Sequence, residues 1–198
     1  MRHDQVRRTS TPSPKLTYDD FLRFPDDGNR HELIDGDHYV TPSPSIRHQE
    51  ISMNLAVELG LHLKQHRNGV AFFAPLDVVF SNWDVVEPDM LYVSRERANV
   101  LAGKHVRGAP DLVAEILSPS TRKTDEVTKR GLYERWGVAE YWVIDPELET
   151  ISVHRRLNDT FQRVAELSVE RGDVLTTPLL PAFSVALREI FSSGLAPR

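Results

Sequence analysis

The sequence of 198 residues contains no cysteine, which excludes disulfide bonds and thiolate metal ligands. It also lacks any apolar run approaching the roughly 18 residues of a membrane-spanning helix, and its N-terminus lacks the apolar core of a secretory signal peptide. Positive charge is not in excess either: the formal net charge is −5, so no general basic field attracts nucleic acid. These absences predict a cytoplasmic protein without a membrane segment, whose contacts to nucleic acid would be local.

The composition is that of one globular domain with a polar N-terminal segment. A hydrophobic fraction of 40% and a charged fraction of 27% are typical of globular chains, and the length suffices for a substantial core. Residues 1–16 are rich in Arg, Ser, Thr and Pro and have almost no apolar anchor, which predicts a flexible N-terminal arm. Residues 17–198 are then expected to form a single domain.

Periodicity and breaker residues predict the order of helices and strands. Thr17 is typical of a helix N-cap, Asp35-Gly36 of a hairpin turn, and Ser45 of the start of an amphipathic helix to about residue 67. Strands are predicted over about 70–74, 76–81, 85–93, 111–117, 140–145, 149–156 and 160–170, a short helix over 95–101, a longer helix over 121–136 and a short amphipathic segment over 184–191.

This order of elements favours an α/β fold, a mixed β-sheet flanked by helices. Residues 111–145 form the pattern strand, helix, strand, which is typical of a right-handed crossover between parallel strands. No internal repeat or heptad pattern is present in the sequence. We therefore expect one sheet-centred domain with helices on its faces.

A carboxylate stands in the middle of the strand predicted over 111–117. Glu115 has apolar neighbours on both sides, and an ionised carboxylate is rarely buried unless something compensates its charge. A metal ion is one candidate. An ion pair with Arg107, Arg122 or another base is the structural alternative.

A second acid, Asp89, lies in the strand predicted over 85–93. If that strand neighbours the one carrying Glu115, the two carboxylates converge at one edge of the sheet. Magnesium prefers octahedral oxygen coordination and takes only one or two carboxylates. The pattern therefore predicts a magnesium site at Asp89 and Glu115, with the backbone carbonyl of Ile116 as a further oxygen ligand.

The helix after Glu115 carries a polar stripe. Asp125, Lys129 and Tyr133 stand four residues apart and so share one face, and Trp136 extends this face. A lysine pointing at the metal site would orient the attacking water and stabilise developing charge. The structural alternative is a solvated Asp125–Lys129 pair with half-buried aromatic packing.

Several motifs occur in a specific order along the chain. They are Glu87-Pro88-Asp89, PDLVAEILSPST, Asp125-x-x-x-Lys129-x-x-x-Tyr133 and GVAEYWVID, preceded by HELIDG and by His48-Gln49 at a helix start. This set resembles the Uma-two family of "putative restriction endonucleases", which is placed in the PD-(D/E)XK nuclease superfamily. The resemblance runs from about residue 17 to 156.

The resemblance implies a restriction-endonuclease-like core and an Mg- or Mn-dependent endonuclease that hydrolyses phosphodiester bonds in DNA. It implies that Asp89 and Glu115 are the metal-binding acids, and that Glu32 and His48 are additional ligands or water-positioning groups. It further implies double-stranded DNA as the partner and a homodimer, because restriction-type enzymes commonly need two sites.

One position departs from the superfamily pattern. The pattern has a lysine two residues after the second acid, and here that residue is Leu117. The resemblance suggests that the lysine role has moved to the following helix. Lys129 is the first candidate for that role and Lys123 the second.

Other interpretations remain open at this point. Glu32 could bridge to Arg30 or Arg47, and His48 could serve only at the start of its helix. The protein could be an inactive module on the nuclease fold that binds DNA or a protein partner. It could also be a structural or regulatory homodimer whose acidic pocket is merely solvated.

Overall fold

The structure, a computed structural model, describes residues 14–194. The arm predicted over 1–16 lies outside the described residues except for its last part. There, Lys15 Nζ is 2.8 Å from Asp37 Oδ2, and the Leu16 N–H donates to the Gly36 carbonyl. No helix within residues 14–194 is long and apolar enough to cross a membrane.

Helices alternate with strands along the described chain. The helices are α1 (Tyr18–Phe21), α2 (Ile46–His66), α3 (Arg130–Trp136) and α4 (Leu187–Phe191), with a 3₁₀-helix at Arg95–Val100 and a π-helical segment at Thr124–Lys129. The strands are β1 (Arg30–Ile34), β2 (Asp37–Thr41), β3 (Gly69–Phe73), β4 (Val78–Val79), β5 (Val85–Val86), β6 (Met90–Ser94), β7 (Val106–Arg107), β8 (Leu112–Ile116), β9 (Glu140–Asp145), β10 (Thr150–Leu157), β11 (Thr160–Ser168), β12 (Val174–Thr176) and β13 (Ser184–Ala186).

The strands form two larger sheets and one small ribbon. The six-stranded sheet has the order β11-β10-β9-β8-β6-β3, and the five-stranded sheet the order β2-β1-β5-β4-β7, while β12 pairs with β13. The six-stranded sheet is mixed, because β8 and β9 run parallel and the other neighbours antiparallel. The predicted α/β fold class, a mixed sheet with helices on its faces, is confirmed.

Side-chain alternation along β8 divides the core between the two faces of the six-stranded sheet. Ala114 and Ile116 pack in the cluster that includes the buried stripe of α2 and the apolar residues of α4. Val113 and Leu117 pack in the other cluster, together with Leu132 and Tyr133 of α3. Because successive side chains of a strand point to opposite faces, Glu115 lies on the α3 face.

Three local predictions need correction. The strand predicted over 85–93 is two strands, β5 and β6, in different sheets, since Pro88 between them cannot donate a ladder hydrogen bond. The strand predicted over 76–81 shortens to β4. The helix predicted over 121–136 contains the π-helical segment and becomes regular only in α3.

Candidate active site

The two predicted acids are brought together by strand register. β6 and β8 are antiparallel, with Met90 opposite Ala114, so the next pair along the ladder is Asp89 and Glu115. Asp89 follows the segment where the chain passes from the five-stranded sheet to the six-stranded sheet. The site therefore lies at the junction of the two sheets, within reach of side chains from both.

Both carboxylate oxygens of Asp89 have partners. Oδ1 accepts a hydrogen bond from Arg30 Nη1 at 2.8 Å, and Oδ2 accepts the Ile116 N–H at 2.8 Å and lies 3.0 Å from His48 Nε2. Although burial opposes ionisation, the hydrogen bond and charge of His48, together with Arg30, hold the pKa of Asp89 below its usual range. Asp89 is therefore an ionised carboxylate at neutral pH.

Glu115 belongs to a second buried group, centred on the Lys129 amine. Lys129 Nζ lies 3.0 Å from Glu115 Oε1 and 2.8 Å from Glu32 Oε1, with Asp125 Oδ1 at 3.7 Å. The Tyr133 hydroxyl donates to Glu115 Oε1 at 2.6 Å. Although burial works against its charge, the three carboxylates raise the pKa of Lys129, so this amine stays a cation.

Two of the carboxyl groups around Lys129, those of Glu115 and Asp125, have raised pKa values. Burial raises the pKa of Glu115 to about 8 and that of Asp125 to about 6, and the neighbouring acids add to both shifts. Burial likewise raises the pKa of Glu87 to about 7. Ionising all of these carboxyl groups together would therefore give the site more negative charge than its own bases compensate.

The π-helical segment Thr124–Lys129 places Lys129 at the site through its winding and its packing. In the π-helical segment the Arg130 N–H donates to the Asp125 carbonyl five residues earlier, and such wider turns often occur at functional sites. Asp125 and Lys129 are both buried on the side that faces β8. Lys123, the second candidate, is exposed.

A cavity of about 160 Å³ opens onto these groups. Asp89, Glu115 and Lys129 contribute to its floor, and the Thr41–Ser45 loop and the residues after β8 form its walls. A second cavity of about 430 Å³ adjoins it and shares Arg30, Asp89 and the same loop. Together the two cavities make a cleft along the junction of the sheets.

The donor set of the site suits a divalent cation by charge. Four acidic side chains, Glu32, Asp89, Glu115 and Asp125, are each at most 4% exposed, and only Lys129 and Arg30 among the neighbouring bases are permanently charged. If all four acids were ionised, these two bases would leave an excess of two negative charges, which a divalent cation would neutralise. Within residues 14–194 no three His, Asp or Glu side chains are arranged to chelate a metal, which is compatible with an ion that takes one or two carboxylates.

The structure brings most of the predicted site residues together, with Lys123 and Trp136 as the exceptions. The first cavity is lined by Asp89, Glu115, Lys129, His48 and Ile116. Glu32 pairs with the Lys129 amine, and the Tyr133 hydroxyl donates to Glu115. Their chemical roles stay predictions.

Some structural alternatives are present and others are not. Glu115 does form an ion pair, with Lys129 as the base and not Arg107 or Arg122; Arg122 pairs with Asp145. Glu32 pairs with neither Arg30 nor Arg47. Trp136 does not extend the site, since its indole N–H donates to Asp84.

Arg30 is a site residue that the sequence predictions omitted, and Asp125 was predicted only as part of the polar stripe, without a role in the site. Arg30 stands two residues before Glu32 on β1, and residues two apart in a strand share a face. Asp125 lies four residues before Lys129, so the two side chains share one face of the helix. The spacing of Arg30 from Glu32 and of Asp125 from Lys129 therefore indicates both residues in the sequence.

The fold matches that of a solved structure described as a putative nuclease belonging to DUF820, from Anabaena variabilis. The two chains are 23% identical, the match covers 89% of this chain and 97% of the other, and the TM-score is 0.75. At that identity the likeness establishes the fold. No curated protein sequence matches the chain significantly.

The family follows from the sequence itself. Residues 18–188 match the model of the Uma2 family, described as "Putative restriction endonuclease". The chain therefore belongs to the Uma2 family, and the predicted resemblance is confirmed. Family and fold together place the protein among nuclease-like proteins.

Proposed function

We propose that this protein is a divalent-cation-dependent endonuclease that hydrolyses phosphodiester bonds in double-stranded DNA. The observation that carries the proposal is the convergence of Asp89, Glu115 and Lys129 on one cleft at the junction of the two sheets. Two carboxylates that can hold a metal ion, with an ammonium group beside them, suit metal-assisted phosphodiester hydrolysis.

Asp89 and Glu115 would hold Mg²⁺ or Mn²⁺, with the carbonyl of Ile116 as a further oxygen ligand. When bound, such an ion supplies Lewis-acid stabilisation of the phosphoryl charge and a more acidic water. The excess of buried negative charge supports this assignment, because the carboxylates need a cation to be ionised together.

The other residues would position the reacting groups and stabilise the charge that develops on them. Lys129 orients the attacking water and offsets the negative charge that develops on phosphorus, while Glu32 holds its amine in place at 2.8 Å. The Tyr133 hydroxyl fixes one oxygen of Glu115. The His48 imidazole contacts Asp89 Oδ2 and lines the cleft, where it would position water.

A plasmid-nicking assay in Mn²⁺ tests the proposal with matched variants. Asp89→Asn, Glu115→Gln and Lys129→Gln should each lose at least about a hundredfold in rate, as removal of one charge-stabilising group does elsewhere. Glu147→Gln and Lys123→Gln change the same residue types at exposed positions and should nick like the wild type. Nicking that persists in Glu115→Gln would refute the assignment.

A binding module without hydrolytic activity is the second candidate. Two observations favour it: both oxygens of Asp89 are already hydrogen-bonded, and Lys129 is enclosed by three carboxylates. DNA binding without cleavage in Mn²⁺ would support this module. We also propose a homodimer, because cutting both strands of a duplex calls for two sites, and sedimentation analysis at micromolar concentration tests it.

A further inference from the structure

Arg30 occupies the position that a metal ion at Asp89 would need. Its Nη1 donates to Asp89 Oδ1 at 2.8 Å and to the Glu87 carbonyl at 3.0 Å. The other oxygen of Asp89 already has two partners, the Ile116 N–H and the His48 imidazole. Three of the roughly four acceptor positions of this carboxylate are therefore taken, and the remaining one is on Oδ1, beside the Arg30 guanidinium.

Electrostatics decides which partner leaves. Arginine stays charged at any ordinary pH, so a divalent cation beside Asp89 repels the guanidinium. The Ile116 N–H carries no net charge, and both it and the His48 imidazole bind Oδ2, so they can stay in place while a cation binds Oδ1. Arg30 is thus the partner that a cation displaces.

The displaced guanidinium has a second place to go. Arg30 lines both cavities of the cleft, and within residues 14–194 only its Nη1 donates to a protein group. Nε and Nη2 keep their donors for another acceptor. A guanidinium presents paired donors that match two oxygens of a phosphate, and the cleft is where a DNA backbone would lie.

We propose that Arg30 exchanges partners during the reaction: it neutralises Asp89 until a divalent cation takes that place, and it then binds a phosphate of the DNA backbone. This inference rests on the proposed nuclease function. It assigns to Arg30 a positioning role that differs from that of a structural ion pair, because removing Arg30 should affect cation binding and phosphate binding in opposite directions.

The experiment measures the two affinities separately, without turnover. Calorimetry gives the affinity for Ca²⁺ alone, and fluorescence anisotropy gives the affinity for a labelled oligonucleotide duplex in saturating Ca²⁺. The variant is Arg30→Gln. The control is Arg47→Gln, which removes the same charge from a residue that pairs with Glu149 and lines neither cavity.

Relative to Arg47→Gln, we expect Arg30→Gln to bind Ca²⁺ about tenfold more tightly, because no buried cation must be displaced. It should bind the duplex about tenfold more weakly, because a bidentate phosphate contact is lost. Equal losses in both affinities, or no change in Ca²⁺ affinity, would overturn the exchange while leaving the nuclease proposal standing. A wild type that binds no Ca²⁺ would instead overturn the nuclease proposal itself.

Arg30→Lys keeps the charge and covers the case in which Arg30→Gln does not fold. A lysine can still pair with Asp89 but cannot present two parallel donors to phosphate. Its Ca²⁺ affinity should stay within about threefold of the wild type while its duplex affinity falls about tenfold. A duplex affinity equal to that of the wild type would contradict the phosphate contact.

Discussion

Replacing Lys129 by methionine removes the central cation of the buried site. The side chain of Lys129 is 4% exposed, and its amine lies 2.8 Å from Glu32 and 3.0 Å from Glu115. Methionine has a similar length and fits buried space well, so the change removes charge with little loss of volume. Breaking a buried ion pair from one side costs about 3–5 kcal/mol, because the remaining carboxylates are left uncompensated.

Urea unfolding without divalent cations measures this cost directly. The free energy of unfolding of Lys129→Met should fall by about 3–5 kcal/mol, whereas that of Lys123→Met, an exposed lysine nearby, should change by less than about 0.5 kcal/mol. Adding Glu115→Gln to Lys129→Met should recover part of the loss, with a coupling of about 1–3 kcal/mol. A loss below about 1 kcal/mol would refute the argument from buried charge.

Two further predictions concern Glu115. Its pKa of about 8 lies above the ordinary value of 4.5, so the folded state binds the proton more tightly than the unfolded state; the free energy of unfolding in EDTA should therefore fall as pH rises from 4.5 towards 8. Urea midpoints at several pH values check this, and Glu115→Gln should flatten the slope. Tyr133→Phe removes the hydroxyl that donates to Glu115 at 2.6 Å, and its free energy of unfolding should fall by about 1–2 kcal/mol. The control Tyr39→Phe breaks no hydrogen bond between described residues and should unfold like the wild type. Equal losses of stability in both variants would contradict the role of the Tyr133 hydroxyl.

Local patterns made the regular elements predictable. Ser45 caps α2 by accepting the His48 N–H, and the apolar residues at four-residue spacing in that helix are buried as expected. Asp35 and Gly36 both have positive φ, as a tight hairpin turn between β1 and β2 requires. These features depend on a few consecutive residues, so the sequence specifies them directly.

The junction between the sheets could not be predicted in the same way. β4 and β5 have two residues each, too few for periodicity to indicate which sheet they join. The pairing of Arg30 with Asp89 joins residues 59 positions apart, and only the meeting of the two sheets brings them together. The site residues were found through a motif, whereas their partners depend on tertiary contacts.

The position of the lysine follows from the packing of β8. A lysine at position 117 would lie on the same face as Glu115, but that face is covered by α3, and Leu117 is 4% exposed among Leu132 and Tyr133. An ammonium there would lose an apolar contact and lie buried beside the aromatic ring. Lys129 reaches the same carboxylate of Glu115 from the helical region that covers the strand. The amine is therefore placed by helix packing and not by strand alternation, so the spatial relation of acid and lysine can persist although the strand motif does not.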